Sequence, residues 1–266
     1  LTSGAVAREL PSLPVWTKPL TNQVFHDSAF IKREINLAYG YQTLPDKIDL
    51  GLFGAEPDVD GDAHGVFLQM ELPLNETVSV VANKMGYLDL NAENSMNSEE
   101  GITDVSAGLK WMFYNTEELI LAAQTTYDAP VGDEGVLQGN GDGTITPALL
   151  ATFWRGQFGL NGAAGITVPI DRDEESTLGY SSVACAYQHT PKLASHIELN
   201  WFHVLDAADG ADPFNHQPLG VTAVPFEGGD MINFGSSRAE VHRNLVTAAI
   251  GGRYSITPAV NIGLAY

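Results

Sequence analysis

The sequence has no long apolar run, and this absence limits how the chain can meet a membrane. No window approaches the roughly 18 uninterrupted apolar residues typical of a membrane-spanning helix. Transmembrane helices are therefore excluded, although 44% of the residues are apolar. A helical apolar period is missing as well, so any segment that crosses a bilayer has to be a β-strand.

Basic residues are scarce. Lys and Arg number 13 against 33 Asp and Glu, which gives a formal charge of −20. Nucleic-acid binding depends on basic side chains that neutralise phosphates, so no nucleic-acid partner is expected. The predicted strands are nearly neutral, because the acidic residues are concentrated in predicted loops at residues 56–62, 93–100, 128–142 and 171–175.

Cysteine and recognisable catalytic motifs are nearly absent too. The single Cys185 allows no internal disulfide. The seven histidines show no paired metal-ligand spacing, and no GxSxG nucleophile motif occurs. The sequence therefore predicts neither an enzyme nor a structural metal site.

Two acidic stretches partly match the pattern of calcium-binding loops. Asp58, Asp60 and Asp62 stand at alternate positions, so their carboxylates can converge on one hard cation, and GNGDGT follows at residues 139–144. The EF-hand rule fails in both, because Ala63 replaces the required glycine in the first and both lack the final glutamate. No cofactor is predicted, apart from weak calcium binding that orders the outer loops at the three aspartates.

What the sequence does contain is regular alternation of apolar and polar residues. From Glu34 to Tyr41, large apolar residues at odd positions alternate with polar or small residues at even positions. This period of two predicts a strand with one apolar face. No helical pattern or apolar run supplies a layer to cover that face. A barrel in lipid needs no such layer, because lipid contacts the apolar face and the lumen holds the polar one.

Eleven segments with this period follow one another as far as Tyr266, and their connections alternate between long and short. Outer-membrane barrels show this asymmetry, whereas a soluble β-sandwich, the alternative, does not require it. Bacterial barrels have even strand numbers, so a twelfth strand is expected beyond Tyr266. We predict an all-β, antiparallel up-and-down transmembrane β-barrel of about 12 strands over residues 29–266. Residues 1–28, which contain three prolines, are predicted to form an extended lead-in or a partial plug.

Several longer motifs carry a resemblance to a known family. They are EINLAYGYQTLP, EGITDVSAGLKW, VLQGNGDGTITP, TVPIDRDEESTLGYS, FGSS and GGRYSITPAVNIGLAY. With these motifs the chain resembles the outer-membrane β-barrel transporter families related to the phenol-degradation meta-pathway channel proteins. The resemblance implies a barrel fold and a bacterial outer-membrane location, and says less about the solute.

The polar face of the predicted strands, which is expected to face the lumen, indicates the function. The predicted lumen-lining residues are Glu34, Asn36, Gln69, Glu71, Asp104, Ser106, Lys110, Gln124, Glu198, Asn200 and Arg253. Their mixed charges favour a passive channel for small polar or amphiphilic solutes, including aromatic ones, over an ion-selective pore. The alternative is a structural or surface-interaction barrel that acts through its long acidic outer loops. The expected partners are membrane lipid and a small-molecule solute, with homo-oligomers or a surface assembly under the alternative.

Overall fold

The computed structural model describes residues 13–22, 24–44, 46–47, 58, 60–94, 97–136, 138–139, 141–172, 175–206 and 244–266. The strands are β1 (Glu34–Thr43), β2 (Gly61–Pro73), β3 (Val78–Lys84), β4 (Gly86–Ala92), β5 (Glu99–Ile102), β6 (Val105–Asn115), β7 (Leu119–Ala129), β8 (Thr144–Arg155), β9 (Phe158–Pro169), β10 (Thr177–Thr190), β11 (Leu193–Asp206), β12 (Asn244–Thr257) and β13 (Val260–Ala265). Short 3₁₀ helices occur at Val15–Thr17 and Glu134–Val136. In the part of the chain that is described, no helix has the length and apolarity to cross a membrane.

All of these strands belong to one antiparallel sheet, in which strands consecutive in sequence are paired except for β3 with β4 and β5 with β6. The ladder from β6 to β13 pairs each strand with the next along the chain. The turns that follow β2, β6, β8, β10 and β12 are short and lie at one end of the sheet, whereas the longer connections lie at the other. The predicted all-β, up-and-down architecture is confirmed.

The sheet has 13 strands where the sequence pattern predicts eleven, because two long strands are interrupted. β3 and β4 pair with successive parts of β2, and Met85 lies in the break between them. β5 and β6 pair in turn with β4 and β3. The predicted loop at residues 93–100 is therefore wrong at its end, because Glu99 and Glu100 belong to β5. The alternation signal fails here because polar residues such as Glu99 and Glu100 occupy a strand whose length exceeds its apolar stretch.

The outer face of the sheet is apolar and unusually exposed. Ile35 is 74% exposed and Leu199 is 46% exposed, although both are large aliphatic residues. Aromatic residues lie towards the ends of the strands on this face, namely Tyr39, Tyr41, Trp111, Phe113, Tyr114, Tyr127, Phe158, Tyr187, Trp201 and Tyr254. An aliphatic band between two aromatic girdles is the surface that a membrane barrel presents to lipid.

The sheet curls around residues 13–22 and 24–33, which we call the N-terminal segment. Lys18 makes the curl visible, because its carbonyl oxygen contacts Arg253 on β12 while its ammonium contacts Glu34 on β1. Opposite ends of the sheet thus reach the same residue. β1 and β13 run in the same direction, and no ladder joins them within the described chain. The twelfth strand expected beyond Tyr266 stays a prediction.

Candidate functional site

The predicted lumen residues lie on the inner face of the sheet, opposite the exposed apolar face. Six of them are buried: Glu71, Ser106, Lys110, Gln124, Glu198 and Asn200. The other five are partly buried: Glu34, Asn36, Gln69, Asp104 and Arg253. Leu199 and Asn200 show the alternation, since the first is 46% exposed and the second 2%. That these groups line a water path through the barrel stays a prediction.

A network of charged side chains connects the N-terminal segment to the sheet. The Lys110 ammonium, which is fully buried, lies 2.6 Å from an Asp27 carboxylate oxygen and 3.1 Å from Glu71. Lys18 lies 3.6 Å from Asp27 and pairs closely with Glu34. Charges buried in this way are tolerable only because each has a partner of opposite sign. The network therefore fixes the position of the segment against β1, β2 and β6.

The electrostatics of the segment follow from burial beside these partners. Burial alone would raise the pKa of Asp27, but the ammonium groups of Lys110 and Lys18 hold that pKa well below its usual range. Burial alone would lower the pKa of Lys18, but Asp27 and Glu34 raise it above its ordinary value. For His26, the nearby Asp27 carboxylate and the Asn161 main chain offset the effect of burial only in part. Burial lowers the pKa of His26 to about 4, so its imidazole is neutral at pH 7.

Two charged residues on β11 and β12 contact the main chain of the segment. Glu198 accepts hydrogen bonds from the amide groups of Leu20 (2.6 Å) and Thr21 (2.9 Å). Arg253 Nη2 donates to the carbonyl oxygen of Lys18 at 2.9 Å and to that of Pro19 at 3.2 Å. These charge-assisted hydrogen bonds are stronger than neutral ones. They hold the segment on the opposite side of the barrel from Lys110.

Neutral side chains on the intervening strands complete the contacts. Asn161 on β9 donates to the carbonyl oxygen of Thr17 at 2.5 Å, and Asn83 on β3 donates to that of Val24 at 2.7 Å. Thr152 on β8 accepts a hydrogen bond from the Ala29 amide at 2.9 Å. The segment thus contacts strands all around the sheet.

Apolar contacts anchor the same segment. The Phe25 ring packs edge-on against Tyr180 and Phe202, with ring centroids 5.0 and 5.5 Å away. Phe30 is fully buried against an apolar part of the inner face that includes Ile120 and Leu150. Full burial of one such ring contributes about 1.5–3 kcal/mol. The inner face is therefore not uniformly polar, and its apolar patches are the ones that the segment covers.

Little space remains between the segment and the sheet. A Cβ atom added at Gly159 on β9 would lie 2.3 Å from a methyl carbon of Thr17, so only glycine permits this approach. Beside the charged network, a cavity of about 20 Å³ is lined by Lys18, Asp27 and Asn83 among others. That volume admits about one water molecule. In this conformation the segment is packed closely against the inner face of the sheet.

Asp104 does not contact the N-terminal segment in these bonds; it contacts the connection between β7 and β8. Its Oδ1 accepts hydrogen bonds from the amides of Gly132 and Gly139, both at 2.9 Å. Lys84 lies 3.4 Å from Oδ2. Gly139, Gly141 and Gly143 have positive φ angles, so the glycines of the GNGDGT stretch serve the backbone turns of this connection.

The three calcium candidates are separately engaged. Asp58 forms a β-bridge with Lys47, Asp60 accepts a hydrogen bond from Asn94, and Asp62 accepts one from Asn91. Among the described residues, no group of three or more His, Cys, Asp or Glu side chains is placed to hold a metal ion. Calcium binding in the outer loops therefore stays a prediction.

Several residues of this site do not appear among the predicted ones. Thr152, Asn161 and Ser182 are buried on the inner face, and the polar parity of their strands is the signal that would have identified them. Lys18 and Asp27 had no such signal, because the segment has no periodic pattern. Their roles follow only from the tertiary contacts.

Comparison with solved structures identifies the architecture. The chain is similar to an outer membrane channel from Pseudomonas putida F1, with a TM-score of 0.54 and 12% identity over 88% of this chain and 85% of that one. It is also similar to the NanC porin, with a TM-score of 0.51 and 7% identity over 86% and 85% of the two chains. No protein-family model and no curated protein matches the chain. At these identities the likeness shows the fold, which is that of outer-membrane β-barrel channels, as predicted.

Proposed function

We propose that the protein is a passive channel of the bacterial outer membrane for small polar or amphiphilic solutes, with membrane lipid around it. The main support is the difference between the two faces of the sheet: the outer face is apolar and exposed, and the inner face has both acidic and basic side chains. The neighbours with this fold are channels and porins. A wall of mixed charge suits solutes with several polar groups more than one ion type. No catalytic role is proposed.

We further propose that the N-terminal segment is the plug of this channel, held in place by ion pairs at Asp27 and Lys18. The Tyr180 and Phe202 rings, which the segment covers, would become available to an aromatic solute when it moves. Solute passage then requires at least part of the segment to leave the lumen. Breaking either ion pair should favour that open state.

Planar-bilayer conductance and liposome swelling of the refolded protein test these proposals. Asp27→Ala should raise the open fraction severalfold relative to wild type, because Lys110 loses its partner in the segment. Glu76→Ala, in the exposed turn after β2, is the matched control and should behave as wild type. If neither protein conducts ions nor admits solutes, the channel proposal is wrong. The surface-interaction barrel would then replace it, although residues 207–243, its longest loop, lie outside the described residues.

A further inference from the structure

Glu198 and Arg253 contact residues 18–21 almost entirely through main-chain atoms. Arg253 donates to two consecutive carbonyl oxygens, those of Lys18 and Pro19, at 2.9 and 3.2 Å. Glu198 accepts from the next two amide groups along the chain, at 2.6 and 2.9 Å. Only the Thr21 hydroxyl adds a side-chain bond. Four backbone groups in a row are thus recognised without regard to the side chains they carry.

Glu198 and Arg253 lie on the inner face of the sheet, and the hydrogen bonds described above are all made to the N-terminal segment. Glu198 is 1% exposed, and the donors that its carboxylate receives in these bonds belong to the segment. When the segment moves, the buried Glu198 carboxylate and the partly buried Arg253 guanidinium lose these hydrogen bonds and need replacements. A solute in which carbonyl and amide groups follow each other at peptide spacing supplies them, whereas a sugar supplies hydroxyl groups without that fixed pairing.

We propose that Glu198 and Arg253 form a binding site for peptide main chain, and that the open channel takes short peptides or similar amide-bearing solutes at this site. The inference rests on the proposed channel function and names its solute class. Asn83 and Asn161, which donate to two other carbonyl groups of the segment, extend the same chemistry along the wall. The N-terminal segment thus occupies the site in the closed state as a tethered peptide.

Because the N-terminal segment is covalently attached to the barrel, it competes with any free peptide for the site. A short linker holds a bound segment at an effective concentration on the order of millimolar, so a free peptide competes only at higher concentrations. Lys18→Ala weakens this competition, because it removes the contacts of the ammonium with Asp27 and Glu34 while leaving the main chain intact. The full-length K18A protein in detergent is therefore the background for binding experiments.

The probe is N-acetyl-dialanine amide, which is neutral and offers main-chain groups alone, and a neutral monosaccharide is the comparison solute. Saturation-transfer NMR on K18A should show saturable peptide binding and none for the monosaccharide. Adding Glu198→Gln should weaken peptide binding at least fivefold. Glu76→Gln removes an equal charge from the exposed turn after β2, outside the proposed site, and it should change binding less than twofold.

Folding and function are checked on the same samples. Heat-modifiable gel mobility reports whether each variant forms a barrel, and Arg253→Lys replaces E198Q if that variant does not fold. Absence of saturable peptide binding, or equal weakening by E198Q and E76Q, overturns the peptide site. If the barrel conducts ions but does not bind the peptide, the channel proposal stands and the peptide-site proposal is wrong. If the protein binds the peptide but does not conduct ions, the peptide-site proposal stands and the channel proposal is wrong.

Discussion

At the scale of single residues, neighbouring positions on β11 have opposite surroundings. Leu199 is 46% exposed on the outer face, whereas Asn200 is 2% exposed and faces the N-terminal segment. Leu199→Arg should cost about 2–4 kcal/mol or prevent insertion, because it places a cation in hydrocarbon. Asn200→Arg should insert normally and raise conductance by displacing the segment. Heat-modifiable gel mobility measures the first effect, and equal behaviour of the two variants would contradict the assigned parity.

A second residue-scale prediction concerns the buried ammonium of Lys110. Lys110→Met leaves Asp27 and Glu71 without their shared cation, and removing one member of a buried pair typically costs about 3–5 kcal/mol. We expect lower stability in urea, followed by tryptophan fluorescence in detergent. Arg155 forms an exposed pair with Glu118 at 3.6 Å, so Arg155→Ala is the control and should show almost no change. Similar losses in both variants would mean that the network does not stabilise the fold.

At the scale of elements, docking of the N-terminal segment should depend on pH through His26. Its pKa in the docked state is about 4, below the ordinary 6.5, so the released state binds more protons between these values. Docking is therefore fully favourable above pH 6.5 and weakens as pH falls towards 4, by about 3 kcal/mol at most. The neighbouring Asp27 stays ionised over this range, because its pKa is held lower still.

Hydrogen exchange of the segment's amides at pH 7 and pH 5, corrected for intrinsic rates and read by mass spectrometry, measures this effect. Wild type should lose protection at pH 5. His26→Gln cannot be protonated at this position and should lose much less. An identical loss in the two proteins would assign the pH dependence to another group.

Another element-scale prediction concerns the connection between β7 and β8. Asp104 fastens it through the amides of Gly132 and Gly139, so Asp104→Ala frees both groups. Limited proteolysis from the outer side should then cleave within this connection at least several times faster. The sheet should keep its heat-modifiable mobility, because β6 and β7 retain their ladder. Unchanged cleavage would show that Asp104 does not restrain the connection.

At the scale of the whole molecule, the exposed apolar band predicts how the protein behaves in solution. Residues such as Ile35, Ile197 and Ile250 are more than half exposed on the outer face and form one surface with the aromatic girdles. The folded protein should therefore be monodisperse only in detergent or lipid, because contiguous apolar patches of this kind associate in water. Size-exclusion chromatography after stepwise removal of detergent is the measurement. A monodisperse protein without detergent would remove the membrane barrel and favour a soluble β-fold.

The sequence alone determined the parity of the strands and the up-and-down order of the sheet. Both properties are local: alternation assigns each side chain to a face, as at Leu199 and Asn200, and short turns make consecutive strands neighbours. The buried positions of Glu71, Lys110 and Glu198 follow from the same rule. The breaks at Met85 and before Val105 did not, because the side-chain alternation does not show where strand pairing is interrupted.

Only the tertiary structure decided what the inner wall contacts. The segment of Lys18 and Asp27 has no period, so its place depends on partners far along the chain: Glu198 is 178 residues from Leu20, and Arg253 is 235 from Lys18. Such contacts depend on the curling of the whole sheet around the segment, which brings charges from β1, β6, β11 and β12 together. No local pattern carries that information, because the residues that meet share no element and no repeat.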